Sequence, residues 1–391
     1  MNYKAVYKDF IVNILAFAFY MIAQQFVLFP NIASYGNTVF AQTILIITAV
    51  NVYTYITSSS LGNAMLMCKH KYRNDGVSFD YIFYLIIFCL IVSIGLLSGI
   101  ALGIFEYQYI YILPITVLCI IRTYYNVVKR MKEQYTLVLL QNILYLIGSC
   151  SILMVRDKPE TVLLYFLCAE LFCCLVYLYD RPCRVKAIHF TNNFHEMSKT
   201  FSNFSFQTGV NNLITYCDRF ALMPILGMEA VSLFYASTAL SKVTMLVVNP
   251  ISGVLASLLA NTEDSAKVKV FDFLRFQTKK YAIPLILINI LVSTFALCFF
   301  YPQYFQKGTS IVLVMSIVSA ITICTNLYNL VCMRFVDSKK LTYVSMVKFF
   351  LIVLLGYVCA LKYGLIGYTF GLLIANVLTF IIYIRLVRFI V

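Results

Sequence analysis

The chain has 391 residues, 62% of them hydrophobic and only 12% charged, with a formal net charge of +14 and a mean hydropathy of +0.87. A soluble domain carries about twice that share of charge, so a water-soluble globule is excluded. The 13 cysteines fall almost entirely inside apolar runs and in no CxxC spacing, which excludes a disulfide scaffold and reads as small hydrophobes in reduced or lipid surroundings.

Taken in order, the apolar runs give twelve expected membrane spans, near 10–29, 38–66, 81–103, 108–128, 136–155, 161–179, 203–226, 231–260, 282–301, 309–331, 341–361 and 365–386. The expected class is therefore an all-α polytopic membrane protein. The first span follows Lys4 and Lys8 as a signal sequence would. It is long, however, holds Asn13 and the pair Gln24–Gln25, and lacks a small-residue cleavage site, so it reads as a retained helix.

Lysine and arginine set the orientation. The N-terminus, alternate loops and the C-terminal tail carry 22 of them, the opposite loops only Arg156, Lys158, Lys307 and Lys362, and four more lie within spans. The positive-inside bias then places both termini in the cytoplasm. The net positive charge is a topology signal, and its spread over seven separate segments argues against nucleic acid as a partner.

The chain also reads as doubled. The longest hydrophilic connection, Tyr179 to Thr200, falls near the midpoint and leaves six spans on each side. A shift of 194 positions lays Pro30 on Pro224 and Phe40 on Phe234, with Gln24–Gln25 falling on Asp218–Arg219. An even number of spans per half implies parallel repeats and a central cavity between lobes. The expected domains are a six-helix lobe over 1–180, a cytoplasmic linker over 181–200 and a second six-helix lobe over 201–391.

Polar residues inside the spans are ordered. Asn203, Gln207, Asn211, Thr215 and Asp218 share one face of span 7, with Thr208, Asn212 and Arg219 in the adjoining row. Thr238, Lys242, Met245, Asn249 and Gly253 line span 8; Asn51, Thr54, Ser58 and Gly62 line span 2; Ser319, Thr322, Asn326 and Asn329 line span 10. Such rows face a water-filled path, or they are interhelical glue. Four cations (Arg122, Arg219, Lys242 and Lys348) and two anions (Glu170 and Asp218) lie within the spans. A net positive, desolvated cavity suits an anionic headgroup such as phosphate or pyrophosphate. The cations are the expected substrate-binding residues, Asp218 and Glu170 the coupling candidates, and Gln24, Gln25, Asn51, Asn211, Asn212, Asn249 and Asn326 the polar lining. Arg122 and Lys348 have an alternative as cations snorkelling toward the cytoplasmic face, and Arg219 an alternative as a charge neutralised by Asp218 or Glu170. His70, His189 and His195 all fall in hydrophilic loops, so no catalytic residue, metal ligand or cofactor is expected.

The run NNLITYCDRFALMPILGMEAVSLFYASTAL, with its Asp218–Arg219 pair, Gly227 turn and Phe234–Tyr235–Ala236, is followed by Pro250 late in span 8. On these residues and the six-plus-six layout, the chain resembles the bacterial polysaccharide repeat-unit flippases. These are the O-antigen or capsule branch of the multidrug/oligosaccharidyl-lipid/polysaccharide exporter superfamily. The resemblance covers essentially the whole chain through loose motifs. It implies an undecaprenyl-pyrophosphate-linked oligosaccharide as substrate, membrane lipids as surroundings, and an inner-membrane location. It also implies polysaccharide polymerase and chain-length machinery as partners. The chain is short for that superfamily, and span 1 lacks the acid that cation-coupled drug exporters use there. A lipid II or multidrug exporter is the alternative. A membrane polymerase, an enzyme, would need a sizeable outer loop, and the outer loops expected here reach about ten residues at most.

Overall fold

The structure is a computed structural model that describes residues 3–67, 79–103, 107–131, 134–154, 161–179, 194–260, 267–336 and 338–388. Their regular structure is helical throughout. Eight stretches among them are long and apolar enough to cross a membrane. Two of these run through a backbone break: Asn212–Ala239 through Gly227, and Tyr343–Val387 through Tyr363 and Gly364. Dividing those two gives ten helical limbs, and the helices Ile112–Met131 and Val162–Cys174 bring the number among the described residues to twelve, in register with the twelve expected spans.

Six belong to the first half. Helix α1 (Tyr3–Ile22) widens into a π-helical turn over Ala23–Leu28 and resumes over Phe29–Ala33. Pro30 explains the widening: it has no N–H for the Phe26 carbonyl, and its ring crowds the preceding turn. Helix α2 (Asn37–Thr54) has its own π turn over Tyr55–Ser59 and continues over Ser60–Met67. Then come α3 (Phe79–Ala101), α4 (Ile112–Met131), α5 (Tyr135–Ser149) and α6 (Val162–Cys174). In the second half, the helix Phe194–Ala260 divides at Gly227 (φ 82°) into α7 (194–226) and α8 (228–260). Helices α9 (Lys267–Phe300) and α10 (Phe305–Phe335) follow. The last helix, Ser338–Arg388, divides at Tyr363–Gly364 into α11 (338–363) and α12 (364–388). Positive φ at Gly36, Gly227 and Gly364 marks turns that a residue with a Cβ adopts only with strain.

The molecule forms two compact units, Met1–Asn212 and Leu213–Val391. In the first, α1 packs on α5, α5 on α6, and α4 touches α2, α3 and α6. Residues 194–212 of α7 belong to this unit. Phe194 stacks on Tyr84 and Phe201 packs against it at a tilt, the Tyr84 hydroxyl donates to Ser198 Oγ at 2.9 Å, and Ser205 Oγ donates to the Ile56 carbonyl at 2.8 Å. The boundary between the two compact units falls at 212/213. Residues 194–200 of the expected linker are the first turns of a helix, with Met197 buried and Phe194 half-buried in the cluster around Phe88 on α3. The remainder of that linker, 181–193, lies outside the described residues.

In the second unit, α11 and α12 fold back on each other as a close hairpin. A Cβ at Gly367 would collide with the Cys359 carbonyl oxygen, and one at Gly371 would sit 2.5 Å from that of Leu355. The G-x-x-x-G pair is what lets the two backbones touch.

Candidate functional site

Each unit holds its own buried charge. In the first unit, close approach of α5 and α6 comes first: a Cβ on Gly148 would lie 2.8 Å from the Ala169 Cα. Glu170, the next residue, is thereby carried into the bundle and is 2% exposed. Its Oε2 accepts from Arg122 Nε on α4 at 2.9 Å, and its Oε1 accepts from Cys119 Sγ at 3.1 Å. The Arg122 guanidinium also lies 4.7 Å from the Tyr20 ring centroid and 5.3 Å from that of Tyr145. Gln24, in the π turn of α1, donates to the hydroxyls of Tyr20 at 2.8 Å and Tyr145 at 3.3 Å. The π turn thus has a local consequence, since it aims a glutamine amide at the aromatic pair around the arginine. Four helices meet in this cluster: α1, α4, α5 and α6.

In the second unit, Arg219 on α7 and Tyr235 on α8 each lie eight residues from Gly227. Folding back at that glycine sets the guanidinium 4.7 Å from the Tyr235 centroid, and Tyr216, one turn earlier, lies at 5.0 Å. Asp218 and Arg219 are both buried, and an Asp218 carboxylate oxygen accepts the Arg219 backbone N–H at 2.9 Å. Asp218 and Cys217 lie within electrostatic reach of Tyr368 on α12, whose ring meets Phe234 edge-on at 5.6 Å. Lys348 on α11 is within electrostatic reach of Cys217. Among the described residues Lys348 makes no ion pair or hydrogen bond.

No family model matches the chain, and no curated protein does. Solved structures do match. An inward-facing multidrug resistance MATE family transporter of the MOP superfamily has a TM-score of 0.72 at 13% identity, over 96% of this chain and 97% of that one. The lipid II flippase MurJ in an inward closed conformation has a TM-score of 0.70 at 14% identity, over 98% of this chain and 86% of that one. An outward-facing MATE transporter gives 0.64 at 13% identity, over 99% and 95%. The fold is that of the MATE and MurJ transporters. The chain is therefore a multi-pass membrane protein.

Within this MATE-like fold the remaining expected site residues separate. Gln24 and Gln25 are buried in the first unit, and Asn51 is half-buried there. Asn212 donates to the Thr208 carbonyl of its own helix. On α10, Thr322 donates to Asn376 Oδ1 at 3.2 Å and Asn329 Oδ1 accepts from the Tyr383 hydroxyl at 3.2 Å. That part of the span-10 row is interhelical glue to α12. Asn326, between them, is half-buried. Lys242, Asn249 and Asn211 lie on helices whose backbone is described but whose side chains are not. Glu170 is the partner of Arg122, which is therefore not an unpaired cation.

Sequence reasoning missed the tyrosines. Tyr20, Tyr145, Tyr216 and Tyr235 surround the two arginines. The spacing of Tyr216 and Arg219, three apart on one helix, was the available signal.

Proposed function

We propose that this chain is a flippase, a transporter and not an enzyme. It moves undecaprenyl-pyrophosphate-linked oligosaccharide repeat units of O-antigen or capsule type across the bacterial inner membrane by alternating access. Both termini lie in the cytoplasm, and the substrate passes from the cytoplasmic to the periplasmic leaflet. The likeness to MATE transporters and to a lipid II flippase supports an exporter that rocks one half against the other.

The observation that carries the substrate class is Lys348. Lys348 lies inside the apolar span Tyr343–Val387 with no ion-pair partner among the described residues; a lysine so placed is costly, and such a residue is a functional one by default. An anionic headgroup supplies the missing charge. Arg219, caged by tyrosine rings on the neighbouring helix pair, is the second cation, and Lys242 on α8 the third. The paired Arg122 belongs to the scaffold in this reading, and Asp218 remains the coupling candidate with Glu170 second to it. A multidrug exporter of cationic compounds would need the opposite balance of charge. The asparagine and threonine rows meet the sugar hydroxyls, and the polyprenyl tail stays in lipid.

The test is a deletion strain complemented with variants, scored by surface polysaccharide and by lipid-linked repeats retained inside. Lys348→Ala and Arg219→Ala should each lower export at normal protein levels. Normal export by both would overturn the cationic binding site. Growth arrest on depletion, with loss of peptidoglycan precursor export, would instead favour the lipid II alternative.

A further inference from the structure

Helix α9 is longer than the span it contains. It starts at Lys267, whereas its membrane-crossing stretch starts at Lys280. The 13 residues before the span extend about 20 Å. One face of this lead is committed: Phe271 packs in a cluster with Tyr328, Cys332, Val344, Tyr383 and Val387, and Leu274 is buried beside it. The other face has an unusual composition. Phe273 is 56% and Phe276 62% exposed, Lys280 is exposed on the same side, and Asp272 and Arg275 are exposed on the flanks of the helix. Lys280 Nζ lies 5.5 Å from the centroid of Tyr281, which is itself exposed. Over 267–281 the sequence KVKVFDFLRFQTKKY has five basic residues and one acid.

Large aromatics left bare in water would be penalised, and bare cations in hydrocarbon would be penalised more. A segment that exposes both fits the headgroup layer, where phenyl rings reach the acyl boundary and ammonium and guanidinium groups meet phosphates. Pro284 adds a joint at the right place: it lacks the N–H that would bond the Lys280 carbonyl, so the helix has a weak turn where the span begins.

We infer that residues 267–281 form an interfacial anchor that binds the phosphate headgroups of anionic phospholipids in the leaflet it faces. On the topology above, that is the cytoplasmic leaflet. Charge complementarity selects the occupant, since each basic side chain near an anionic surface contributes about 1 kcal/mol. The anchor goes beyond the flippase reading and holds or fails independently of the transported substrate.

The chain has no tryptophan, so Phe276→Trp supplies a single reporter. The full-length variant is placed in nanodiscs of zwitterionic lipid, with or without phosphatidylglycerol, and quenched by lipids brominated near the headgroup or by aqueous iodide. Both leaflets carry the same lipid, so the readout does not depend on orientation. The expected result is bromolipid quenching that rises about twofold with phosphatidylglycerol, falls with salt, and loses its lipid dependence in Arg275→Glu/Lys280→Glu. Iodide quenching with no response to bromolipid would overturn the anchor and leave the face to a soluble protein partner. Bromolipid quenching indifferent to headgroup charge would overturn the phosphate contact. A Phe273→Trp reporter, on the same exposed face, repeats the measurement if the first variant fails to accumulate.

Discussion

In the first unit the buried arginine meets a carboxylate from another helix: Arg122 and Glu170 stand 2.9 Å apart, with Cys119, Tyr20, Tyr145 and Gln24 completing the shell. In the second, the acid and the arginine are neighbours in sequence. Asp218 turns an oxygen to the backbone N–H of Arg219, while the guanidinium lies against tyrosine rings. Lys348, which makes no ion pair among the described residues, sits on the same unit. The first arrangement cross-links helices. The second sets the guanidinium against the ring faces of Tyr216 and Tyr235, with Asp218 buried beside it.

The comparison can be broken most directly at Glu170. Glu170→Ala leaves Arg122 as an uncompensated buried charge, which should cost about 3–5 kcal/mol. Little folded protein should then accumulate in the membrane. Arg122→Leu/Glu170→Leu should recover most of that loss, because a well-packed apolar pair is often as stable as a buried ion pair. If instead Glu170→Ala accumulates normally and only export fails, the first-unit cluster is functional and the contrast between the units disappears.

Gly371→Leu should come next in size. Its Cβ would meet the Leu355 carbonyl at 2.5 Å, so α11 and α12 must separate, at about 1–3 kcal/mol. Thermal unfolding in detergent would report it. Since Lys348 sits on α11, export should fall together with stability here, whereas Lys348→Ala should lower export about tenfold with unfolding unchanged, a loss of about 1.4 kcal/mol of binding. Lys348→Arg should keep much of the export.

The helix inventory was legible because membrane length and apolarity act locally: all twelve limbs could be placed from runs of Leu, Ile, Phe and Val. Gly227 was legible as a turn for the same reason. The pairing of Arg122 with Glu170 was not, because 48 residues separate them and the packing of α6 against α4 and α5 that brings them together leaves no local mark in the sequence. Polar rows mark a helix face without saying what faces it. Thr322 and Asn329 belong to such a row, yet both bond to α12. The start of α7 at Phe194 was hidden by its hydrophilic sequence context, because Phe194 and Ser198 find their partner more than 100 residues earlier, at Tyr84.

The smallest expected effect separates a cage from a salt bridge at Arg219. If the Tyr235 ring face holds the guanidinium, Tyr235→Phe keeps the face and loses only the hydroxyl, so export and stability should stay close to those of the unsubstituted chain. Tyr235→Leu keeps comparable bulk and removes the quadrupole, which should cost about 0.5–2 kcal/mol. Arg219 would then lose its orientation, and export should fall more than protein level does. The order matters more than the size. Phe above Leu assigns the contact to the ring face. Equal losses in both would mean that the hydroxyl was the contact, and Arg219 would then resemble Arg122, held by polar partners as part of the scaffold, which would erase the difference between the two units.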